Sequence, residues 1–224
     1  MNLSLIPPFL RRTAVIAILI ALALGAQSPT VAATWNEAGD AGDALLIAQT
    51  TIGIGPLTQI NGTLPTDSDL DLYLIRITNA ASFLAYRNGA LAQTDPDLWL
   101  FNLSGNGVTF NNTTAAGQTG LTSANVTANG LYYLGISNGG AVARSAGGAI
   151  WNTGNAGPFV GERAPDGPGA GSPFTSWSSL GVNNLTFNYT INLQGADFAQ
   201  APEPTALVLL GLGLLPLAVR RFRQ

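Results

Sequence analysis

Histidine, cysteine and lysine are all absent from the 224 residues of this chain. Without histidine there is no Ser-His-Asp relay and no imidazole ligand for a metal. Without cysteine there is no disulfide, no thiol nucleophile and no structural zinc site. Charge is scarce too: charged residues make up 9% of the chain, and every basic side chain is an arginine. Helical bundles expose many charged faces. A chain this poor in charge, with 27 glycines and 13 prolines, is better suited to strands and turns. A carboxylate-based glycosidase, the enzymatic alternative, needs two acids on opposite sides of a cleft. Here Asp69 and Asp71, like Asp95 and Asp97, lie two apart on one strand and point the same way. Such pairs suit a turn or a shared cation better than acid/base catalysis, so a non-catalytic protein is expected.

Apolar residues are concentrated at the two ends. Arg11 and Arg12 precede an apolar run from Thr13 to Ala26, a polar stretch and then Val31-Ala32-Ala33. Small residues at Val31 and Ala33 fit a signal peptidase site, which predicts a signal peptide over 1–33 and a mature chain beginning at Thr34. At the other end, Pro202-Glu203-Pro204 leads into fifteen apolar residues, Thr205 to Val219, followed by Arg220, Arg221 and Arg223. That run predicts a transmembrane helix, short against the roughly 20 residues of a comfortable span and kinked at Pro216. The arginines mark its cytoplasmic side. Between these ends, residues 34–201 set four arginines against eleven carboxylates, a net charge of −7. Nucleic acid and anionic lipid reward basic patches and are poor partners for such a domain. Cations, neutral polysaccharide or another protein remain.

The tail, with its Pro-Glu-Pro, apolar run and arginine stop, resembles the PEP-CTERM sorting signal of Gram-negative bacteria over residues 202–224. The resemblance implies transient anchoring in the inner membrane, recognition by an exosortase-type enzyme, cleavage near Pro-Glu-Pro, and transfer to the cell surface or beyond. A short span is then sufficient, since it holds the protein only briefly.

The body of the chain reads as an all-β domain over 34–201. Short runs at 57–64, 70–77, 82–86, 98–103, 121–127, 131–137 and 185–193 are separated by Gly, Asn, Asp and Ser, which predicts an antiparallel β-sandwich. "LWLF" at 98–101 is apolar on both parities and belongs in a central strand covered on both faces. "DALLIAQT" at 43–50 reads either as a short helix or as a first strand. The order of Asp69-Leu70-Asp71-Leu72-Tyr73, then Asp97 to Phe101 with Ser104-Gly105, then Gly130 to Tyr133, resembles bacterial pre-peptidase C-terminal (PPC) domains and their relatives. That resemblance implies a jelly-roll-like sandwich, usually a non-catalytic part of a secreted protein. Asn102 and Asn111-Asn112 stand where relatives often carry aspartates.

Two candidate sites follow. Glu37, Asp40, Asp43, Asp69 and Asp71 are hard oxygen donors suited to Ca²⁺. Asp67, Asp69 and Asp71 resemble an EF-hand opening, but the glycine and closing glutamate of that loop are missing. The competing reading is a turn at Asp67-Ser68. The second site lies in the Gly/Pro/Ser-rich segment 145–181, which reads as a long loop. Trp151, Phe159, Phe174 and Trp177 there either form an exposed platform for sugar rings or pin the loop to the sandwich, with Trp151 and Trp177 the leading ligand candidates. The sequence as a whole predicts an exported structural or adhesive protein of the extracellular polysaccharide matrix. Its partners are an exosortase-type enzyme and exopolysaccharide, and it needs no cofactor beyond the cation.

Overall fold

The computed structural model describes residues 33–66, 68–87, 96–112, 120–152, 161–178 and 186–201. Residues 1–32, which hold most of the expected signal peptide, together with Asp67, Asp95, Phe159 and the whole 202–224 tail, lie outside the described residues. Among the described residues no helix is long and apolar enough to cross a membrane.

Period-two patterning builds the first sheet. In β14 (Phe187–Gln194) the alternate residues Phe187, Tyr189, Ile191 and Leu193 are buried. Polar residues between them face outward, as expected of a strand with one face on the core. This strand pairs antiparallel with β3 (Leu57–Leu64) and β5 (Leu84–Arg87). The order across the sheet is β1-β3-β14-β5-β8, with β1 at Ala33–Asn36 and β8 at Gly120–Thr122. Strand β1 runs parallel to β3, with a shift at Thr58: Ala33 pairs with Leu57 and Thr34 with Gln59. The extra residue lets Leu57 and Ile60, three apart, both reach the core.

The second sheet has the order β12-β7-β6-β9-β4-β15, with β2 added beside β4. Its strands are β12 (Gly161–Arg163), β7 (Gly107–Asn112), β6 (Asp97–Asn102), β9 (Gly130–Ser137), β4 (Leu70–Ile77), β15 (Ala196–Phe198) and β2 (Gln49–Thr50). A third, small sheet places β10 (Val142–Ser145) between β11 (Gly148–Ala149) and β13 (Phe174–Ser178).

Two apolar cores result, one on each face of the second sheet. Tyr73, Ile75, Leu98, Leu100 and Ile136 pack with Ile60, Leu64, Tyr189 and Ile191 of the first sheet. Leu70, Leu72, Trp99, Phe101 and Phe110 instead pack with Ala143, Ile150, Trp151 and Phe174 from the third-sheet region. The two-parity run at 98–101 is thus explained: Leu98 and Leu100 serve one core, Trp99 and Phe101 the other. Trp99 stacks on Phe110 with ring centroids 3.9 Å apart and meets Trp151 edge-on at 5.4 Å.

Four expectations change, the first at 121–127, which is strand only as far as Thr122 and then a 3-10 turn over Ser123–Asn125. The architecture is all-β, but its sheets are mixed, because β1–β3 and β2–β4 are parallel pairs. Residues 145–181 are not one loop: they contain β11, β12 and β13, and β10 ends at Ser145. They gain this order by covering the second core, a tertiary effect that local periodicity does not carry. Segment 43–50 is neither a full helix nor a simple strand but a 3-10 turn at Leu45–Ile47 followed by β2.

Candidate cation site

The chain crosses from the first sheet to the second between Glu37 and Thr50, and the acidic cluster is built at this crossing. Two turns with glycines in the left-handed region, Gly39 and Gly42 (φ 75° each), redirect the backbone there. A Cβ on Gly42 would lie 2.8 Å from the Ile47 carbonyl oxygen, so the turn is closed to larger residues. The Gln49 side chain fixes the crossing by accepting from the Trp35 indole N–H at 2.7 Å and the Ala38 N–H at 3.1 Å.

Each acid is oriented separately. Glu37 follows β1; its Oε1 accepts from the Ala41 N–H at 3.2 Å and its Oε2 from the Thr63 N–H at 2.8 Å. Asp40 accepts from the Gly42 N–H at 2.8 Å. Asp71 lies on β4, on the same face as Tyr73, at the rim of the first core. It is fully buried, and its Oδ2 accepts from the Tyr189 hydroxyl. With the Tyr189 proton engaged there, the Tyr73 hydroxyl donates onward to Tyr189. The second Asp71 oxygen, Oδ1, has no hydrogen-bond partner among the described residues.

Carboxylate oxygens of Glu37, Asp40 and Asp71 come within 4.8 Å of one another. A cavity of about 420 Å³ lined by Glu37, Gly39, Asp40, Thr63, Pro65 and Asp69 opens beside them. Burial pushes the Asp71 carboxyl up to about 8; the Tyr189 hydrogen bond opposes this, and Glu37, Asp69 and Asp40 add repulsion. Asp69 rises to about 6, first through burial and then through the charge of Asp40. Burial, with Asp71 close by, also raises the Tyr73 and Tyr189 phenols, so both stay neutral donors. Three carboxylates held within 4.8 Å of one another, one of them buried with an oxygen that has no hydrogen-bond partner among the described residues, suit a bound divalent cation, which would supply the missing counter-charge. The all-oxygen donor set and the room for water fit Ca²⁺.

Of the five acids expected to form this site, the structure brings together Glu37, Asp40 and Asp71. Asp69 lines the adjoining cavity and precedes β4. Asp43 is exposed and outside the cluster; its carbonyl accepts from the Trp177 indole N–H at 2.7 Å. Sequence reasoning missed Tyr189, Tyr73 and Gly62. A Cβ on Gly62 would sit 2.2 Å from the Tyr189 hydroxyl oxygen and 2.8 Å from Glu37 Oε2, so the site needs bare backbone there. A glycine inside the strand run 57–64 was the available signal for such a close approach.

The exposed platform is corrected at Trp151, which is fully buried against Trp99, Phe101 and Phe110. It cannot stack on a surface sugar. Trp177 is half-buried, packed edge-on against Trp99 and tilted against Phe174. Both side chains pin their segment to the second sheet. No protein-family model matches the chain, and no curated protein matches it.

Proposed function

We propose that this chain is an exported, non-catalytic surface or matrix protein. In this reading residues 34–201 form a PPC-like sandwich of jelly-roll character, delivered by a signal peptide and sorted by a PEP-CTERM-type tail. The carrying observation is that the described strands from β1 to β15 pair with one another in three sheets, as an all-β domain over these residues requires. Their hydrogen bonding starts at Ala33, which donates to the Pro56 carbonyl at 3.1 Å, and closes at Gln200, which bridges to Ile52. Cleavage after Ala33 leaves Thr34, Trp35 and Asn36 paired with β3, and Pro202 lies two residues beyond the last bridge.

Within this domain the Glu37/Asp40/Asp71 cluster binds Ca²⁺ and ties the crossing segment to both sheets. Calcium outside the cell then stabilises the domain by binding its folded form. The tail holds the precursor in the inner membrane until an exosortase-type enzyme cuts near Glu203. Fractionating producer cells with and without that enzyme tests the reading. Protein on the surface in the first strain and in the inner membrane in the second is expected; surface protein in equal amounts from both strains contradicts it.

A further inference from the structure

Over β1, β3 and β14 the outward face of the first sheet is an uncharged array of amides and hydroxyls. It runs on to Leu84 and Tyr86 of β5, and the Glu162 carboxylate borders it only at the far edge, where it accepts from Thr122 of β8. Register aligns Thr34, Gln59, Asn192 and Tyr86 in one row across four strands. Asn36, Asn61 and Thr190 form a second row, and Thr63 with Asn188 a third. Hydrogen bonds join the rows' members: Gln59 Nε2–H donates to Asn192 Oδ1 at 3.0 Å, and Asn61 Nδ2–H to Asn36 Oδ1 at 3.0 Å. Thr190 donates to Asn61 Oδ1 at 2.8 Å and Thr63 to Asn188 Oδ1 at 2.7 Å.

No outward side chain on the described residues of β1, β3, β14 and β5 is ionic, although the domain carries a net charge of −7. Four adjacent strands at about 4.8 Å spacing make the Thr34–Gln59–Asn192–Tyr86 row roughly 14 Å across. The ladder holds its side chains in fixed rotamers, which removes ordering cost from a binding event. It leaves capacity unused. Asn61 spends one N–H and one lone pair on its neighbours, while an amide offers two of each.

We propose that this face binds a neutral polysaccharide, laid across the strands over the Thr34–Gln59–Asn192–Tyr86 row. The inference rests on the matrix reading above and names its ligand chemistry. Charge selects the occupant: an anionic glycan would meet the repulsion of an acidic domain and find no outward cation among the described residues of β1, β3, β14 and β5. A neutral chain of hydroxyls meets donors and acceptors in equal measure, and Tyr86, half-exposed beside Asn192, adds an apolar edge for a sugar ring.

The test is retention of the protein purified from whole producer cells on the neutral fraction of the producer's exopolysaccharide and on dextran, with alginate as the anionic control. Retention on a neutral glycan that survives both high salt and chelator is expected, since neither screening nor the cation enters the contact. An Asn188→Asp, Asn192→Asp double variant keeps the acceptor oxygens of the ladder and should bind roughly tenfold more weakly, the loss of one or two net hydrogen bonds. Trp177→Phe should bind normally. Failure to bind either neutral glycan, alginate binding abolished by chelator, or sensitivity to Trp177→Phe rather than to the double variant would each overturn the inference. Absence of the protein from the surface would instead defeat the matrix reading, leaving the glycan measurement to stand alone.

Discussion

Asp71→Asn separates the two roles of the acidic cluster. Without a cation, the buried Asp71 carboxyl titrates at about 8 instead of 3.8. Its ionisation near neutral pH therefore favours the unfolded chain, where the group is free to lose its proton. The gap is about four pH units. At roughly 1.4 kcal/mol per unit, the destabilisation has a ceiling of about 5 kcal/mol and a realistic value of a few. Asparagine keeps the shape and still accepts from Tyr189, but does not ionise. In chelator near pH 7.5 the variant should therefore be more stable than the parent by about 2–4 kcal/mol. In calcium the order reverses in response if not in rank. The parent should gain about 2.7 kcal/mol at a hundredfold excess over Kd, a rise of roughly 5–10 °C in Tm for a domain of this size. The variant, lacking the buried ligand charge, should gain less than about 2 °C. Differential scanning calorimetry of both proteins, with calcium and with chelator, reads all four states. An equal calcium response in the two proteins refutes the assignment of Asp71 as a ligand. A variant less stable than the parent in chelator refutes the argument from burial.

The same linkage fixes a pH dependence. Because the folded-state value of Asp71 is raised, its contribution to stability is fully present below the unfolded value near 3.8 and lost as pH rises through about 8. Urea titrations in chelator should show this decline between about pH 4 and 8, flattened by calcium; a contribution from Asp71 that grows with pH, measured against Asp71→Asn, would contradict it. Gly62→Ala forces a methyl group into the Tyr189 hydroxyl and Glu37, and should lower denaturant stability by about 1–3 kcal/mol while weakening the calcium response. Trp99→Ala should cost about 3–5 kcal/mol, since Trp99 is fully buried and touches three other aromatic rings; equilibrium denaturation shows whether the second core is a real source of stability. Far-ultraviolet circular dichroism of the domain should lack the double helical minimum, its described helical turns being three residues each.

The first core was largely legible. Leu57–Leu64 and Leu70–Ile77 are strands with the bounds read from their turn residues, and the two-parity run at 98–101 announced a covered central strand. Strands β10 to β13 were not legible, because each is two to five residues long and half their residues are Gly, Ser or Ala. Strands β10 and β13 are ordered by packing Ala143 and Phe174 into the second core, and β12 by pairing with β7. Strand β1 was hidden for a different reason: its four residues pair in parallel with a strand more than twenty positions away. At the candidate site the acids were visible as hard donors, but nothing local links Asp71 to Tyr189, 118 residues further along. The tryptophans misled because an aromatic in a Gly/Pro-rich segment looks the same whether it faces solvent or a second core.

The mass of the surface form tests the central claim most directly. A chain that has lost its signal peptide and been cut near Pro-Glu-Pro begins at Thr34 and ends at about Glu203, and intact-mass spectrometry of protein stripped from the cell surface resolves both ends at once. The account predicts that product, together with a precursor still ending at Gln224 in the inner membrane of cells that lack the processing enzyme. Replacing Arg220, Arg221 and Arg223 with neutral residues should blunt the conversion, because the orientation signal is lost. A surface product whose mass still includes Gln224 would mean that the tail is an ordinary anchor, and the sorting account would fall.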